Sequence, residues 1–176
     1  TDEDPDVRLA AVNALSEMRA EECFEPLMLL LADVDPWVRA AAVRGVAATG
    51  SRAALEGVAP LLDDSYGPVR IAAIEALGET GRPEALEYIR TTLLSPDLEI
   101  RKAAVGALAR FPGADSKKEL EAALADAEWS VRLAAVEAAA ALGIPGWREM
   151  LGAVAARPDE EELVRECAMK RLEARA

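Results

Sequence analysis

The side chains of this sequence that could do chemistry are carboxylates, arginines and two thiols, because the chain contains no histidine. Histidine is a frequent general base and metal ligand, so its absence removes the usual catalytic triads. Asp2, Asp4 and Asp6 alternate like the start of an EF-hand calcium loop, but Val7 and Asn13 stand where that loop requires glycine and glutamate. No glycine-rich phosphate loop is present. We therefore predict no catalytic residue, no cofactor and no metal ligand, and we expect a protein that is not an enzyme.

Charge and hydropathy narrow the class of partner. The chain of 176 residues carries a net charge of −12, which disfavours nucleic acid and anionic membrane surfaces as partners. No apolar run approaches the roughly 18 residues that a membrane span needs. Cys23 and Cys167 do not suggest a disulfide framework, and this favours a cytoplasmic location. We expect the partner to be another protein or a peptide. Because the sequence begins with Thr1, we also expect a fragment of a longer protein.

A hydrophobic β-branched residue followed by arginine recurs along the whole chain. The six arginines are separated by 31, 31, 31, 31 and 33 residues. A fixed period of this length is typical of repeat architectures. The pairs are Val7-Arg8, Val38-Arg39, Val69-Arg70, Ile100-Arg101, Val131-Arg132 and Val164-Arg165.

The spacing of apolar residues predicts two helices in each repeat. Counted from the arginine, apolar residues at −1, +3, +4 and +7 trace one face of a helix, which we call helix A. A glycine at +11 ends helix A in three repeats, and apolar residues at +19 and +23 mark a second helix, helix B. Such hairpins bury their faces by stacking. The prediction is one all-α domain, a right-handed α-α superhelix of five hairpins and a final capping helix, with eleven helices in total. The hairpins are expected near 4–33, 35–64, 66–95, 97–126 and 128–157, and the capping helix over 159–175.

Capping residues and helix-breaking residues add detail to the predicted hairpins. Asp35-Pro36 predicts a capping residue followed by proline at the first helical position, and Ser95-Pro96 is assigned the same part in the fourth repeat. Gly57 and Pro60 fall inside the second helix B. Proline removes a backbone hydrogen bond, so we predict a bend or an irregular turn near Glu56.

The pattern of aspartate, five other residues and arginine, with Val before the arginine and alanines after it, resembles HEAT repeats of the phycobilisome-lyase-like subclass. The resemblance covers nearly the whole chain and implies a ladder of aspartates and arginines between neighbouring repeats. Ser95 replaces the aspartate that precedes Arg101, which predicts that this arginine lacks its partner. The ladder residues that the resemblance implies are Asp2, Arg8, Asp33, Arg39, Asp64, Arg70, Arg101, Asp126, Arg132, Asp159 and Arg165.

The resemblance also implies that helix A lines the concave surface of the superhelix. Large apolar residues occupy positions there that would be polar on a surface without a partner, and exposed apolar surface often marks an interface. The alternative is that the tryptophans only pack over the turns between repeats. We interpret these positions as a partner-binding face, formed by Trp37, Ala40, Arg44, Ile71, Glu75, Leu98, Lys102, Trp129, Leu133 and Glu137.

Three functional hypotheses remain open at the level of sequence. The first is a non-catalytic scaffold that binds a protein partner on helix A. The second, which the resemblance suggests, is an accessory subunit or domain of an enzyme, such as a bilin lyase-type chromophore-handling protein. The third is a structural spacer. Helix B carries an acidic stripe, which we interpret as a solvated face, with a basic partner as the alternative.

Overall fold

Helices account for all of the regular structure in the part of the chain that the structure describes. The computed structural model describes residues 2–18, 20–111 and 113–174, with side chains from residue 116 onward in the last range. These residues contain eleven α-helices and no strand, which confirms the predicted fold class and helix number. The chain divides into two compact units, Thr1–Tyr88 (unit 1) and Ile89–Ala176 (unit 2).

Unit 1 is a series of helical hairpins. Helix A of each hairpin is α1, α3 or α5, and α3 packs between α1 and α5. Helix B is α2, α4 or α6, of which α6 runs across the boundary between the units. The elements are α1 (Pro5–Met18), a 3-10 turn (Glu21–Cys23), α2 (Phe24–Leu30), α3 (Pro36–Ala48), α4 (Ala54–Val58), a second 3-10 turn (Ala59–Asp63), α5 (Gly67–Glu79) and α6 (Pro83–Thr92).

Unit 2 repeats the arrangement. Its helices A are α7, α9 and α11, and α9 packs between α7 and α11. The last helix begins at Glu162, three residues later than the sequence predicted, and Arg175 at its predicted end lies outside the described residues. The elements are α7 (Leu98–Leu108), α8 (Gly113–Ala123), α9 (Trp129–Leu142), α10 (Trp147–Ala155) and α11 (Glu162–Glu173).

The periodic apolar positions form the core of the hairpins. The +4 residues from Val12 to Val136 are fully buried, and so are the +19 residues of helix B. Burial of this apolar surface is the main favourable contribution to folding. Val7 differs from the other −1 residues, since it is 48% exposed.

The turn signals of the sequence are mostly confirmed. Gly50, Gly81 and Gly143 end their helices with φ values of 70°, 58° and 59°, in the left-handed region that favours glycine. Asp35 caps α3 by accepting hydrogen bonds from the backbone N–H groups of Trp37 and Val38 at 2.8 and 3.2 Å.

Two further local predictions have opposite outcomes. The second helix B is α-helical only to Val58 and continues as a 3-10 turn around Pro60, which confirms the predicted irregularity. The assignment of Ser95-Pro96 as the start of α7 is wrong. Asp97 is the capping residue, since its carboxylate accepts from the backbone N–H of Glu99 at 3.0 Å. None of the helices described is long and apolar enough to cross a membrane.

Candidate partner-binding face on helices A

Arginines at the start of helix A join each turn to the next one. Arg8 donates from Nε and Nη2 to the two carboxylate oxygens of Asp33, both at 2.8 Å. Its Nη1 donates to the backbone carbonyls of Asp2 and Glu3 at 2.9 and 3.1 Å. A guanidinium fork suits this two-pronged contact with a carboxylate. One arginine therefore holds the turn before its own helix and the carboxylate of the following turn.

The same geometry recurs in both units. Arg39 donates to the carboxylate of Asp64 at 2.8 and 2.9 Å, and Arg101 donates to that of Asp126 at 2.9 and 3.1 Å. Arg70 donates to the backbone carbonyl of Asp64 at 2.8 Å. These carboxylates follow their arginines by 25 residues.

This register corrects two sequence predictions. Asp33, Asp64 and Asp126 each contribute the backbone carbonyl to the arginine six residues later and the carboxylate to the arginine 25 residues earlier. Asp2 accordingly keeps an exposed carboxylate that accepts only from the backbone N–H of Asp4, among the described residues. Arg101 does not lack a carboxylate, because Asp126 supplies it, and Ser95 contributes its backbone carbonyl at 3.0 Å.

The last contact of the series departs from the predicted ladder. Arg132 pairs with Glu160, which follows it by 28 residues, and Arg157 also donates to Glu160 at 3.1 Å. Asp159, the predicted ladder residue, is exposed instead. The turn before α11 is longer than the others, so the next carboxylate along the chain reaches the guanidinium. Arg165 makes no side-chain hydrogen bond to any residue that the structure describes.

The arginines change the acidity of these carboxylates. The hydrogen bond from Arg8 lowers the pKa of Asp33 despite the opposing effect of burial, and that from Arg39 does the same to the pKa of Asp64. For Asp126 and Glu160, burial is the largest influence and raises the pKa. Hydrogen bonds from arginines and backbone N–H groups outweigh it, so both pKa values are also lowered. All four groups are therefore held as carboxylates.

In unit 1, the predicted face is centred on an aromatic pair at the start of α3 and α5. Trp37 is 55% exposed, and its ring meets the ring of Tyr66 edge to face, with centroids 5.6 Å apart at 75°. Ile71 is half-buried on α5, and Glu75 is exposed one turn beyond it. Arg44 is exposed on α3, two turns beyond Trp37. An exposed edge-to-face pair offers an apolar ring face to a partner.

Ala40 does not belong to this face. Its side chain is only 2% exposed, so it cannot make a substantial contact with a partner. Helices α1 and α5 flank α3 closely. A methyl group at the +1 position is covered between them, whereas the longer side chain of Ile71 at the same position reaches the surface.

In unit 2, three of the predicted residues meet in one cleft. Trp129, Leu133 and Glu137 of α9 line a cleft of about 480 Å³, with residues of α11 on its other side. Trp129 is 40% exposed, and Arg171 approaches Glu137 at 3.6 Å across the cleft. Leu163 and Cys167 add apolar lining, and Lys170 adds a cation.

The remaining predicted residues, Leu98 and Lys102, lie on α7. Both are half-buried, and the Lys102 ammonium is 3.2 Å from the carboxylate of Glu99. They are not among the residues that line the cleft. The structure thus brings together the α9 members of the predicted face, while the α7 members lie apart from the cleft.

The family follows from the match of the sequence to a family of known repeats. The HEAT-repeat family matches residues 1–77 and 55–140, which together are most of the chain. The chain is a HEAT-repeat protein. No curated protein matches its sequence.

Solved structures share the fold at low sequence identity. The CpcE–CpcF complex of phycocyanin lyase from Nostoc sp. PCC7120 is 21% identical with a TM-score of 0.69, and the match covers 99% of this chain and 73% of that chain. A designed armadillo repeat protein in complex with the peptide (KR)4 is 22% identical with a TM-score of 0.63, covering 98% and 95%. Human deoxyhypusine hydroxylase is 20% identical with a TM-score of 0.50, covering 98% and 81%. Identities this low establish the fold alone.

Several residues next to the predicted face on helices A were not predicted from the sequence. Tyr66 lies four residues before Arg70, outside the periodic positions, so only its aromatic character could have suggested it. Leu163, Cys167 and Arg171 belong to the helix that the sequence suggested was a cap. Every other repeat has alanine at the position of Cys167, which predicts a small core residue there, but Cys167 is half-buried at the cleft.

A second cleft of unit 2 lies between the end of α6 and α8, and residues of α7 and α9 also contribute to its lining. It has a volume of about 370 Å³, and its lining includes Arg90, Leu94, Lys118 and Glu119. Leu94 is 88% exposed, and Arg90 pairs with Glu119 at 2.8 Å. The described residues contain no cluster of acidic and cysteine side chains that could hold a metal ion.

Proposed function

We propose that this HEAT-repeat protein is a non-catalytic interaction scaffold that binds a protein or peptide on the face formed by helices A. The observation that carries the proposal is the solvent-accessible apolar surface of Trp37, Trp129 and Leu133. Two of these residues line the 480 Å³ cleft between α9 and α11. Accessible tryptophan in a concave site is typical of residues that dominate binding energy. The concave position of this face in the whole repeat array is part of the proposal.

Packing between repeats leaves much of the surface of Trp37 and Trp129 accessible to solvent. Trp37 contacts Tyr66 only edge to face and keeps more than half of its surface accessible. Trp129 likewise remains 40% exposed beside the cleft. This exposure supports an interface over the alternative that the tryptophans serve only to cover turns, and it also argues against a pure spacer.

Similar folds are compatible with such a role. The designed armadillo repeat protein was solved with a bound peptide, and CpcE and CpcF were solved as a complex. Both are stacks of helices that were solved with polypeptide partners. They support the proposal that helices A of this chain bind a protein or peptide partner.

The second candidate is an accessory subunit or domain of an enzyme, such as a bilin lyase-type chromophore-handling protein. The similarity to phycocyanin lyase favours it, but that similarity concerns the fold. The cleft between α9 and α11 is open and combines apolar side chains with Lys170 and Arg171, which could pair with acidic groups of a ligand. Absorbance titration with a free bilin would distinguish it, because a scaffold should leave the bilin spectrum unchanged.

The test of the scaffold is selection from a displayed random-peptide library against the purified protein. Calorimetry would then measure the Kd of each selected peptide for the wild type and for Leu133→Glu. We expect the substitution to raise the Kd about tenfold or more, because it places a charge in the apolar floor of the cleft. Ile71→Glu provides the corresponding variant for unit 1.

Leu94→Glu is the matched control. Leu94 is also apolar and more exposed, but it lies in the turn after α6 and lines the second cleft, not the cleft between α9 and α11. The Kd should be unchanged in this variant, with helicity checked by circular dichroism for all proteins. Selected peptides that lose affinity through Leu94→Glu, and not through Leu133→Glu or Ile71→Glu, would contradict a binding face on helices A.

A further inference from the structure

We propose that unit 1 binds a lysine- and arginine-rich peptide segment, one cationic side chain of which stacks on the ring of Trp37 beside Tyr66. This inference rests on the proposed function, and it names the class of partner for the unit 1 part of the helix A face.

The acidity of the protein is concentrated in unit 1. Residues 1–88 include 17 acidic and 7 basic residues, a net charge of −10, whereas residues 89–176 include 15 and 13, a net charge of −2. The field around unit 1 therefore attracts cations and repels anions well beyond contact distance. Association with a basic segment is favoured both in rate and in selectivity.

The arginines of unit 1 do little to screen this charge. Arg8, Arg39 and Arg70 are half-buried and donate inward, to carboxylates and backbone carbonyls of the turns. Among the described residues of unit 1, fourteen acidic side chains are exposed, but only two arginines. One of these, Arg52, is 3.2 Å from Glu84. The surface that a partner meets is therefore strongly acidic, because most of its charged side chains are carboxylates and the ladder arginines donate inward.

The aromatic pair provides a specific site within that field. Trp37 presents more than half of its surface to solvent, and the edge-to-face contact with Tyr66 fixes the orientation of the two rings. Tryptophan is the side chain that binds cations best through its ring face. Asp63, exposed three residues before Tyr66, and Glu75 on α5 add negative charge to the same unit.

Arg44 is the exception on this face. It is exposed on α3, two helical turns beyond Trp37, and its charge opposes a basic partner. It therefore offers a test in the opposite direction: Arg44→Glu should tighten the binding of a cationic peptide. A variant that merely damages the fold cannot produce such a gain.

The experiment measures fluorescence anisotropy of a labelled peptide of alternating lysine and arginine with the full chain. The control peptide alternates lysine and glutamate. We expect the basic peptide to bind more tightly than the control, and its affinity to fall at high salt, where screening is strong. Trp37→Ala should weaken binding about tenfold. Leu94→Ala removes an exposed apolar side chain from unit 2, away from the proposed binding face, and should leave the Kd unchanged, while Arg44→Glu should lower the Kd about threefold.

The opposite results would overturn the inference. They are equal affinity for the two peptides, no measurable binding, or a loss through Leu94→Ala as large as that through Trp37→Ala. The peptide selection separates this failure from failure of the proposed function. Selected peptides without lysine or arginine that depend on Leu133 would leave the scaffold in place and remove the basic partner.

Discussion

Asp63 and Asp64 are adjacent in sequence but differ in their surroundings. Asp64 is half-buried, and its carboxylate accepts from Arg39 at 2.8 and 2.9 Å and from the backbone N–H of Tyr66 at 2.8 Å. Asp63 is exposed to solvent. The two residues therefore form a matched pair for measuring the value of one ladder contact.

We predict that Asp64→Asn lowers the free energy of unfolding by about 2 kcal/mol, because Arg39 loses its charged, two-pronged acceptor. Asp63→Asn should change it by less than about 0.5 kcal/mol, as is usual for an exposed residue. Urea denaturation followed by circular dichroism measures both. Similar losses in the two variants would show that the contact contributes nothing beyond general charge.

The sequence reveals the ladder residues but not which of them pair. The aspartate lies 6 residues before one arginine and 25 residues after the preceding one, and the two distances add to the period of 31. A strictly periodic pattern is consistent with either pairing. Only the three-dimensional path of the turn assigns the carboxylate to the preceding arginine and the carbonyl to the following one.

The same limit explains Glu160. Residues 159–162 are all acidic, and the turn before α11 breaks the 31-residue period. Periodicity then offers no basis for choosing among these side chains. The sequence pattern predicted Asp159 as the ladder carboxylate because it lies six residues before Arg165. In the structure, Glu160 is the carboxylate that contacts Arg132.

At the scale of elements, two glycines inside helices A have opposite surroundings. A Cβ atom on Gly45 of α3 would overlap the Ser16 hydroxyl and approach Leu27 Cδ2 at 2.9 Å. A Cβ atom on Gly106 of α7 would meet no atom within 4 Å. Gly45 thus allows close approach of α3 to α1 and α2, while Gly106 only lowers the helix propensity of α7.

We predict that Gly45→Ala lowers the free energy of unfolding by about 1 kcal/mol, since overpacking exceeds the gain in helix propensity. Gly106→Ala should raise it by about 0.5–1 kcal/mol. Thermal and urea denaturation of the two variants provide the comparison. A stabilised Gly45→Ala protein would mean that Ser16 and Leu27 move aside at little cost.

The elements themselves could be predicted well from the sequence. Apolar spacing predicted every helix, and Gly57 and Pro60 predicted a bend or an irregular turn, which the structure shows as a 3-10 turn. The need for Gly45 could not be predicted, because alanine occupies the same position in four other repeats and nothing in the pattern identifies Leu27 as its neighbour. For the cleft between α9 and α11, the sequence predicted the lining residues of α9 but not those of α11, because the charged residues of α11 suggested a capping helix.

At the scale of the whole molecule, the ladder carboxylates make stability depend on pH. The pKa values of Asp33, Asp64, Asp126 and Glu160 are all lowered in the folded protein. A lowered carboxyl pKa stabilises the folded state fully above the ordinary values, which are 3.8 for aspartate and 4.5 for glutamate. The contribution is lost as the pH falls through the lowered values.

We therefore predict that the urea midpoint of the wild type falls as the pH decreases below the ordinary carboxyl pKa values. Asp64→Asn lacks one of the four groups, so its midpoint should fall less steeply over the same range. The difference between the two proteins should shrink towards acid pH. A constant difference would mean that protonation of Asp64 is not part of the acid sensitivity.

The ladder also bears on how the gene can change length. Each contact joins an arginine of one hairpin to a carboxylate of the next, 25 residues later. An in-frame deletion of 31 codons between Arg8 and Asp64 places that aspartate 25 residues after Arg8, with the ionic contact restored in register. The breakpoint need not coincide with the border of a repeat. Unequal recombination can thus shorten or lengthen such a gene by whole periods while an arginine and a carboxylate 25 residues later stay in register.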